Sequence, residues 1–139
     1  MAALLMSLAS VALAGFFCGC SKNAPAANVD LKAQLEVLKG TDKDARLNAF
    51  VALGSMKQAA APAVQDMITY LKDPDPEIRR LAAYVLMEIG PAAAAAKPHL
   101  EALLQDSDRT VVTQVVNTMR AIDPNALKDL PLQKLMNSQ

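Results

Sequence analysis

Polar turns and aliphatic stretches alternate along the chain, and one arrangement of them occurs three times at an interval of 33 residues. The middle copy begins "LKDPDPEIRRLAAYVLMEIG" at Leu71, and related stretches begin at Leu38 and Leu104. In each copy a polar turn comes first, and aliphatic residues then recur every three or four positions. A repeat of about 20 to 50 residues is typical of a solenoid whose units shield one another's apolar faces.

The aligned positions keep their character in all three copies, which indicates that each copy folds in the same way. The apolar ones are expected to occupy matching interior positions. The aligned sets include Leu38, Leu71 and Leu104; Asp42, Asp75 and Asp108; Ala49, Ala82 and Val115; and Leu53, Leu86 and Met119.

Each copy is predicted to contain two helices. In the middle copy, one helical face carries Ile78, Ala82, Val85, Leu86 and Ile89. Gly90-Pro91 then ends this helix and starts the next, because glycine favours the end of a helix and proline its first turn. The apolar face of the second helix carries Ala93, Ala96, Leu100, Leu103 and Leu104.

The acidic residues of the polar turns are predicted to be helix caps. Asp73 and Asp75 can accept hydrogen bonds from backbone N–H groups at a helix start, and Pro76 suits the first turn, where no donor is needed. A site for a hard cation would need carboxylates converging from a loop with a sharp glycine turn, and no such spacing occurs. The equivalent acids elsewhere are Asp106 and Asp108 in the third copy, and Asp42 or Asp44 in the first.

The middle copy resembles a HEAT repeat, in particular the short HEAT-like repeat also found in phycocyanobilin lyases. The matching places are Asp75, Ile78, Arg79, Ala82, Leu86, Ile89-Gly90, Pro91, the alanines 92–96 and Pro98-His99-Leu100. The resemblance covers residues 31–137 and implies an all-α fold, a short right-handed superhelix of about three antiparallel helix pairs. It also implies that arginines such as Arg46 and Arg79 pair with aspartates of their own or neighbouring turns. Val112 at this place in the third copy indicates that the pairing ends there.

The repeat region is predicted to span residues 30–139, with a capping helix at 30–39 and repeats at 40–72, 73–105 and 106–139, the last one degenerate. The capping helix would place Val29, Leu31, Leu35 and Leu38 on one side. The C-terminal stretch contains Pro131 and fewer apolar matches, so we expect it to cap the array poorly.

The first 21 residues carry no charge and have the apolar character of a secretory signal, predicted at 1–19. The stretch "FCGC" resembles a bacterial lipobox, with Phe17 and Gly19 preceding Cys20. This resemblance implies that Cys20 is lipidated, that residues 20–29 form a leash, and that the protein is anchored in the bacterial cell envelope facing the periplasm. Ser21 after the cysteine implies the outer membrane.

Three other interpretations of this segment remain open. It could stay uncleaved as a membrane anchor, since about 20 apolar residues span a bilayer. The "ALA" at 12–14 could be an ordinary cleavage site that releases a secreted protein. Cys18 and Cys20 could bind a metal or form a disulfide, although no further cysteine or nearby histidine completes a metal site.

Charge and composition narrow the function. Fourteen basic and fourteen acidic residues cancel, so nothing points to nucleic acid as a partner. The sequence has neither a glycine-rich phosphate loop nor a recognisable nucleophile–base pair. We therefore predict no catalytic residues, no metal, no cofactor and no small-molecule substrate.

Helix-pair solenoids present an extended groove lined by their second helices, so a protein partner is expected to contact positions there that packing does not claim. Tyr70 is the strongest anchor because it offers a large area with a polar tip, with ordinary packing as the alternative. His99 is the only histidine and is expected to be solvated or locally bonded. The alternative function is an accessory or lyase-like subunit acting on a tetrapyrrole or protein substrate. The candidate residues are Gln65, Asp66, Thr69, Tyr70, His99, Glu101 and Ala102.

Overall fold

A computed structural model describes residues 30–128, and all regular secondary structure in this range is helical. The α-helices are α1 (Leu31–Leu38), α2 (Lys43–Ser55), α3 (Val64–Tyr70), α4 (Pro76–Ile89), α5 (Lys97–Ala102) and α6 (Arg109–Ile122). Three 3₁₀ segments, Lys57–Ala63, Gly90–Ala96 and Leu103–Gln105, lie between them.

The helices form two layers. The first helix of each repeat, α2, α4 or α6, packs beside the next one, while the 3₁₀ segments and the short helices α3 and α5 form the second layer. Helix α1 packs on α2 at the N-terminal end of this part of the chain. The prediction of an all-α helical repeat solenoid is confirmed.

The aligned apolar residues lie in matching interior positions, as predicted. Leu53, Leu86 and Met119 are completely buried in three successive repeats. The predicted face of α4 is also buried at every position, because α4 is packed on one side by α2 and on the other by α6. Burying a leucine side chain stabilises a fold by about 1.5–3 kcal/mol, so this periodic core is the main source of stability.

In the first and second repeats, the second segment is not the single α-helix that the sequence predicts. In the middle repeat a 3₁₀ stretch from Gly90 to Ala96 precedes α5, and Ala93 within it has non-helical φ/ψ angles of −87° and 16°. Pro91 and Pro98 lack the N–H donors of a regular α-helix, and the small alanines tolerate the tighter 3₁₀ turn. The predicted burial nevertheless holds, except that Leu103 is only half-buried.

The predicted caps are confirmed. Asp42, Asp75 and Asp108 are the N-caps of α2, α4 and α6. The carboxylate of Asp75 accepts a hydrogen bond from the N–H of Glu77 at 2.9 Å. Asp73 and Asp106 in turn accept the N–H of the capping residue two positions on, each at 2.9 Å. The acids thus satisfy backbone donors that the first turn of a helix leaves unpaired.

Gly90 ends α4 with a φ of +71°, and Lys57, 33 residues earlier, has a φ of +52°. A positive φ is easily adopted by glycine and costs other residues conformational energy. The first and second repeats therefore both pass from the first layer to the second through a residue with a positive φ, which is a lysine in the first repeat and the favoured glycine in the second.

The two ends of the array are covered differently. Leu38 of α1 is buried, and Leu31 and Leu35 pack against the core, as the predicted capping helix requires. At the other end Ala126 is buried and Leu127 packs against the core. Val29, the signal and leash at 1–29, and residues 129–139 with Pro131 lie outside the described residues. Between residues 30 and 128, no helix is both long and apolar enough to cross a bilayer.

Candidate protein-binding surface and the ion pairs that support it

Ion pairs connect the repeats at the side where the polar turns lie. Lys43 pairs with Asp75 and Glu77 at 3.0 and 3.1 Å, and two further pairs are formed by arginines. Arg46 of α2 donates through Nη2 to Asp73 Oδ2 at 3.1 Å. Arg79 of α4 donates through Nε and Nη2 to the two carboxylate oxygens of Asp106, both at 2.8 Å. In both cases an arginine of one repeat bonds a carboxylate 27 residues on, in the turn that opens the next repeat.

The Arg79–Asp106 pair is the better formed of the two. The side chains are only 13% and 5% exposed, and Arg79 Nη1 also donates to the carbonyl oxygens of Asp73 and Pro74. Burial alone would raise the pKa of Asp106, but the hydrogen bonds from Arg79 and from the Asp108 amide outweigh it and lower that pKa. The same hydrogen bond raises the pKa of Arg79. A bidentate, partly desolvated pair of this kind fixes geometry as well as charge.

The series of arginine–aspartate pairs stops at both ends of the described chain. Val112 occupies the place of Arg46 and Arg79 in the third repeat and is buried. Gly40 occupies the place of Asp73 and Asp106 at the start of the first repeat. The prediction that arginine pairing ends at Val112 is confirmed, and a different pair, Lys97–Asp123 at 2.8 Å, joins the second repeat to the turn after α6.

Tyr70 is half-buried and packs against its neighbours, which agrees with the alternative stated beside its role as an anchor. Its ring packs edge-on against Phe50, with centroids 5.4 Å apart and an interplanar angle of 84°. The guanidinium carbon of Arg46 lies 5.8 Å from the Tyr70 centroid, within the range of a cation–π interaction. Burial raises the pKa of the phenol, while the charge of Arg46 acts in the opposite direction.

Arg46 and Arg79 differ both in their hydrogen bonds and in their neighbours. Arg46 Nε is buried without a hydrogen-bond partner among the described residues, whereas Arg79 Nε bonds Asp106. Leu103 stands in the second repeat where Tyr70 stands in the first, so only Arg46 has an aromatic ring beside it. Tyr70 is therefore half-buried and contributes to the packing of its own repeat.

The other candidates on α3 lie on its solvent side. Gln65 and Thr69 are exposed and Asp66 is half-buried. The Thr69 hydroxyl donates to the Gln65 carbonyl oxygen at 3.2 Å, so this bond involves the main chain of Gln65 and not its side chain. This helix therefore brings four of the predicted residues together within two turns.

The remaining candidates lie on α5. His99 and Glu101 are half-buried and Ala102 is exposed. Helix α3 packs beside the 3₁₀ segment Gly90–Ala96 that leads into α5, so the two groups belong to neighbouring second segments of one layer. We call the solvent-facing side of α3 and α5 the second-layer surface.

Two structural residues were missed in the sequence. Thr118 is buried, and its hydroxyl oxygen lies 2.9 Å from the Ala83 carbonyl oxygen of α4 and 2.8 Å from that of Gln114. Gly54 of α2 lies under the ring of Tyr84, where a Cβ atom would be 2.6 Å from Tyr84 Cε1. The three-to-four-residue period predicts that both positions are helical. It does not predict a hydrogen bond between two helices or a close approach of one helix to a side chain of another.

The described part of the chain shows no enclosed pocket. It also contains no group of three histidine, cysteine or acidic side chains placed to hold a metal ion. The surface available for recognition in residues 30–128 is therefore open and broad, as in a helical repeat protein.

The comparison with protein families matches residues 31–120 to HEAT repeats. The matched range covers 90 of the 139 residues. The chain therefore belongs to the HEAT repeat family, whose repeats commonly serve as scaffolds for protein interactions. No curated protein was found to match the chain.

Proposed function

We propose that the chain is a non-catalytic module that binds a protein partner through the second-layer surface. The observation that carries this proposal is the exposure of Gln65, Thr69 and Ala102 on short helices whose opposite sides are buried. The apolar residues of α3 and α5 pack in the core, whereas these polar and small residues face solvent and are not needed for packing. An open surface of this kind suits a protein or an extended peptide better than a small molecule.

We further propose that the module is tethered in the bacterial cell envelope through lipidated Cys20. The support is the lipobox-like "FCGC" that ends the uncharged residues 1–21. A diacylglyceryl cysteine supplies at least two acyl chains, and two chains give stable membrane anchoring where one gives only marginal binding. The partner would then be a periplasm-facing protein at the same membrane.

Site-specific photocrosslinking in envelope preparations tests the binding surface. A photoreactive residue at Thr69 or Ala102 should give a discrete adduct with the same partner, because both positions lie on the second-layer surface. The matched control is the same residue at Asn48 or Asn117, which are exposed on the first helices α2 and α6. Adducts of equal yield from the control positions, or none from Thr69 and Ala102, would contradict the proposal.

A further inference from the structure

The array has two edges of different chemistry. The capped edge comprises the polar turns that precede α2, α4 and α6. The 3₁₀ edge comprises the ends of those helices and the start of the 3₁₀ segments that follow α2 and α4. Because α2, α4 and α6 lie side by side, these two edges are separated by the length of a helix, roughly 20 Å for 13 or 14 residues at 1.5 Å each.

Charges balance on the capped edge. Residues 39–46, 72–80 and 105–110 contain equal numbers of acids and bases. The acids are Asp42, Asp44, Asp73, Asp75, Glu77, Asp106 and Asp108, and the bases are Lys39, Lys43, Arg46, Lys72, Arg79, Arg80 and Arg109. Many of these groups already cap helices or form ion pairs, so the edge offers little net charge to a partner.

The 3₁₀ edge is positive. Residues 55–63, 88–98 and 120–128 contain Lys57, Lys97, Arg120 and Lys128 against Glu88 and Asp123, and Lys97 is paired with Asp123. The other three cations are exposed and form no ion pair with any residue between 30 and 128. A surface that carries unpaired cations attracts anionic groups until salt screens them.

The surface at the start of the second 3₁₀ segment is low and uncharged. The exposed residues at the start of the second 3₁₀ segment are Pro91, Ala92, Ala94 and Ala95. Their short side chains place no bulky group at this part of the edge. A flat anionic surface can therefore approach it closely, with Glu88 as the half-buried acid of α4 at the same edge.

The chain also enters the array near this edge. Helix α1 packs on α2 and is joined to it by only four residues, 39–42, so the two helices run antiparallel. Helix α1 also contacts Lys57–Ala63, which places its beginning, at Asp30, towards the 3₁₀ edge. Cys20 lies ten residues before Asp30, and ten residues span at most about 35 Å.

We infer that the 3₁₀ edge faces the membrane and that Lys57, Arg120 and Lys128 contact anionic lipid headgroups. This inference rests on the proposed lipidation of Cys20, which brings the edge within reach of the bilayer. Basic residues near an anionic bilayer add to the hold of a lipid anchor. In this orientation the capped edge points away from the membrane.

Two serine positions provide a matched test of the orientation. Ser55 lies at the 3₁₀ edge and Ser107 at the capped edge, and both are exposed. The full chain is expressed so that Cys20 receives its lipid, and it carries either Ser55→Cys or Ser107→Cys labelled with a fluorophore. The labelled protein is then reconstituted in phosphatidylglycerol–phosphatidylethanolamine vesicles. These vesicles contain a lipid with a nitroxide headgroup, which quenches the fluorophore. The label at Ser55→Cys should lose more fluorescence than the label at Ser107→Cys. Equal quenching, or stronger quenching at Ser107→Cys, would overturn the orientation.

Charge reversal isolates the role of the three cations. The variant Lys57→Glu, Arg120→Glu and Lys128→Glu should reduce the quenching at Ser55→Cys and remove its dependence on salt, with an unchanged helical circular dichroism spectrum. Lys72→Glu, an exposed position at the capped edge, is the control and should leave the quenching as it was. Unaltered quenching in the triple variant would show that the cations do not contact lipid.

Flotation separates failure of this inference from failure of the tether. If the reconstituted protein floats with the vesicles and incorporates labelled palmitate, the anchor is present and the quenching data judge the orientation alone. If it neither floats nor carries palmitate, the proposed lipidation is wrong, and the orientation that rests on it is overturned as well.

Discussion

At the scale of single residues, Lys57 and Gly90 both adopt a positive φ where the chain passes between layers, and only glycine does so without strain. Both have a positive φ, 52° and 71°, and a residue with a Cβ atom is disfavoured there by about 1–2 kcal/mol. The first repeat therefore contains a small local strain that the second avoids. Lys57 is exposed, so its side chain contributes no packing that offsets this strain.

Replacing Lys57 with glycine should stabilise the protein. The relief of strain exceeds the extra entropy that glycine loses on folding, and we expect the free energy of unfolding to rise by about 0.5–1 kcal/mol in urea denaturation. Gln58→Gly, one residue on and with a negative φ, should instead lower it. Gly90→Ala should also lower it through backbone strain alone, since no atom lies within 4 Å of the added Cβ. A loss of stability in Lys57→Gly would contradict this account.

Much of the residue scale could be predicted from the sequence. The interior places of Leu53, Leu86 and Met119 and the caps at Asp42, Asp75 and Asp108 follow from the period and from capping chemistry, which are local. The bond between the Thr118 hydroxyl and the Ala83 carbonyl oxygen is not local, because it depends on how α6 rests on α4. The packing of Tyr70 against Arg46 was missed for the same reason.

At the scale of helices, Gly54 sets how closely α2 approaches Tyr84. In an α-helix, alanine is favoured over glycine by about 1 kcal/mol, so an ordinary interior position would gain from the exchange. Here the added methyl group would meet the Tyr84 ring at 2.6 Å. Overpacking of this kind costs about 1–3 kcal/mol, which exceeds the gain.

A double-mutant cycle tests this close approach. Gly54→Ala should destabilise the otherwise unchanged protein, whereas the same substitution in a Tyr84→Ala background should stabilise it by up to about 1 kcal/mol. Thermal and urea unfolding followed by circular dichroism provide both values. The same change in both backgrounds would show that the Tyr84 ring does not restrict this position.

The Arg79–Asp106 pair should make the junction between the second and third repeats sensitive to acid. The pKa of Asp106 is lowered in the folded chain, so its contribution is complete above the ordinary aspartate value of about 4 and is lost as the pH falls through the lowered pKa. At pH 7, Asp106→Asn should lose about 1.5–3 kcal/mol, the range for a hydrogen bond to a charged group.

Below pH 4 the difference between Asp106→Asn and the unchanged protein should shrink, because the wild-type carboxyl becomes protonated as well. Unfolding measured from pH 7 to pH 2 gives this trend. Asp123→Asn is the control, since Asp123 pairs with Lys97 at a site about one third exposed, where solvent weakens the ion pair. A difference for Asp106→Asn that stays constant with pH would contradict the assigned role of the ion pair.

The element scale also shows a limit of the sequence pattern. The second segments were predicted as single helices, and the structure divides them into 3₁₀ and α pieces. Periods of 3.0 and 3.6 residues differ little over two turns, so the buried alanines Ala93 and Ala96 satisfy both. Prolines at 62, 91 and 98 mark irregular positions but do not say which kind of helix follows.

At the scale of the whole molecule, the repeat determines the fold and leaves the partner undetermined. A 33-residue period, matched capping turns and alternating faces identify a helical solenoid because every unit must bury its apolar side on the next. The second-layer surface could be located by subtracting the buried positions. The specificity of the proposed binding would depend on a few exposed side chains such as Gln65 and Thr69. Folding places no requirement on these residues that a sequence pattern could reveal.

The proposed membrane tether leads to a prediction for the complete chain. Cys20→Ser should leave the protein uncleaved or in the soluble fraction and without labelled palmitate, because the acyl acceptor is gone. Cys18→Ser should keep both the label and the membrane fraction. Fractionation combined with palmitate labelling tests both variants, and undiminished labelling of Cys20→Ser would exclude this residue as the acceptor.

Inside the array, Arg46 pairs with Asp73 and Arg79 pairs with Asp106. In the first repeat Gly40 stands in place of the aspartate, and in the third repeat Val112 stands in place of the arginine. A second molecule that docked end to end would find neither a carboxylate to accept its arginine nor an arginine to reach its carboxylate. Head-to-tail contacts that do not close into a ring produce filaments, and a stack of identical helical units is exposed to that outcome. In the described residues, contact between the ends of two copies would therefore lack the arginine–aspartate pair that joins neighbouring repeats inside the array.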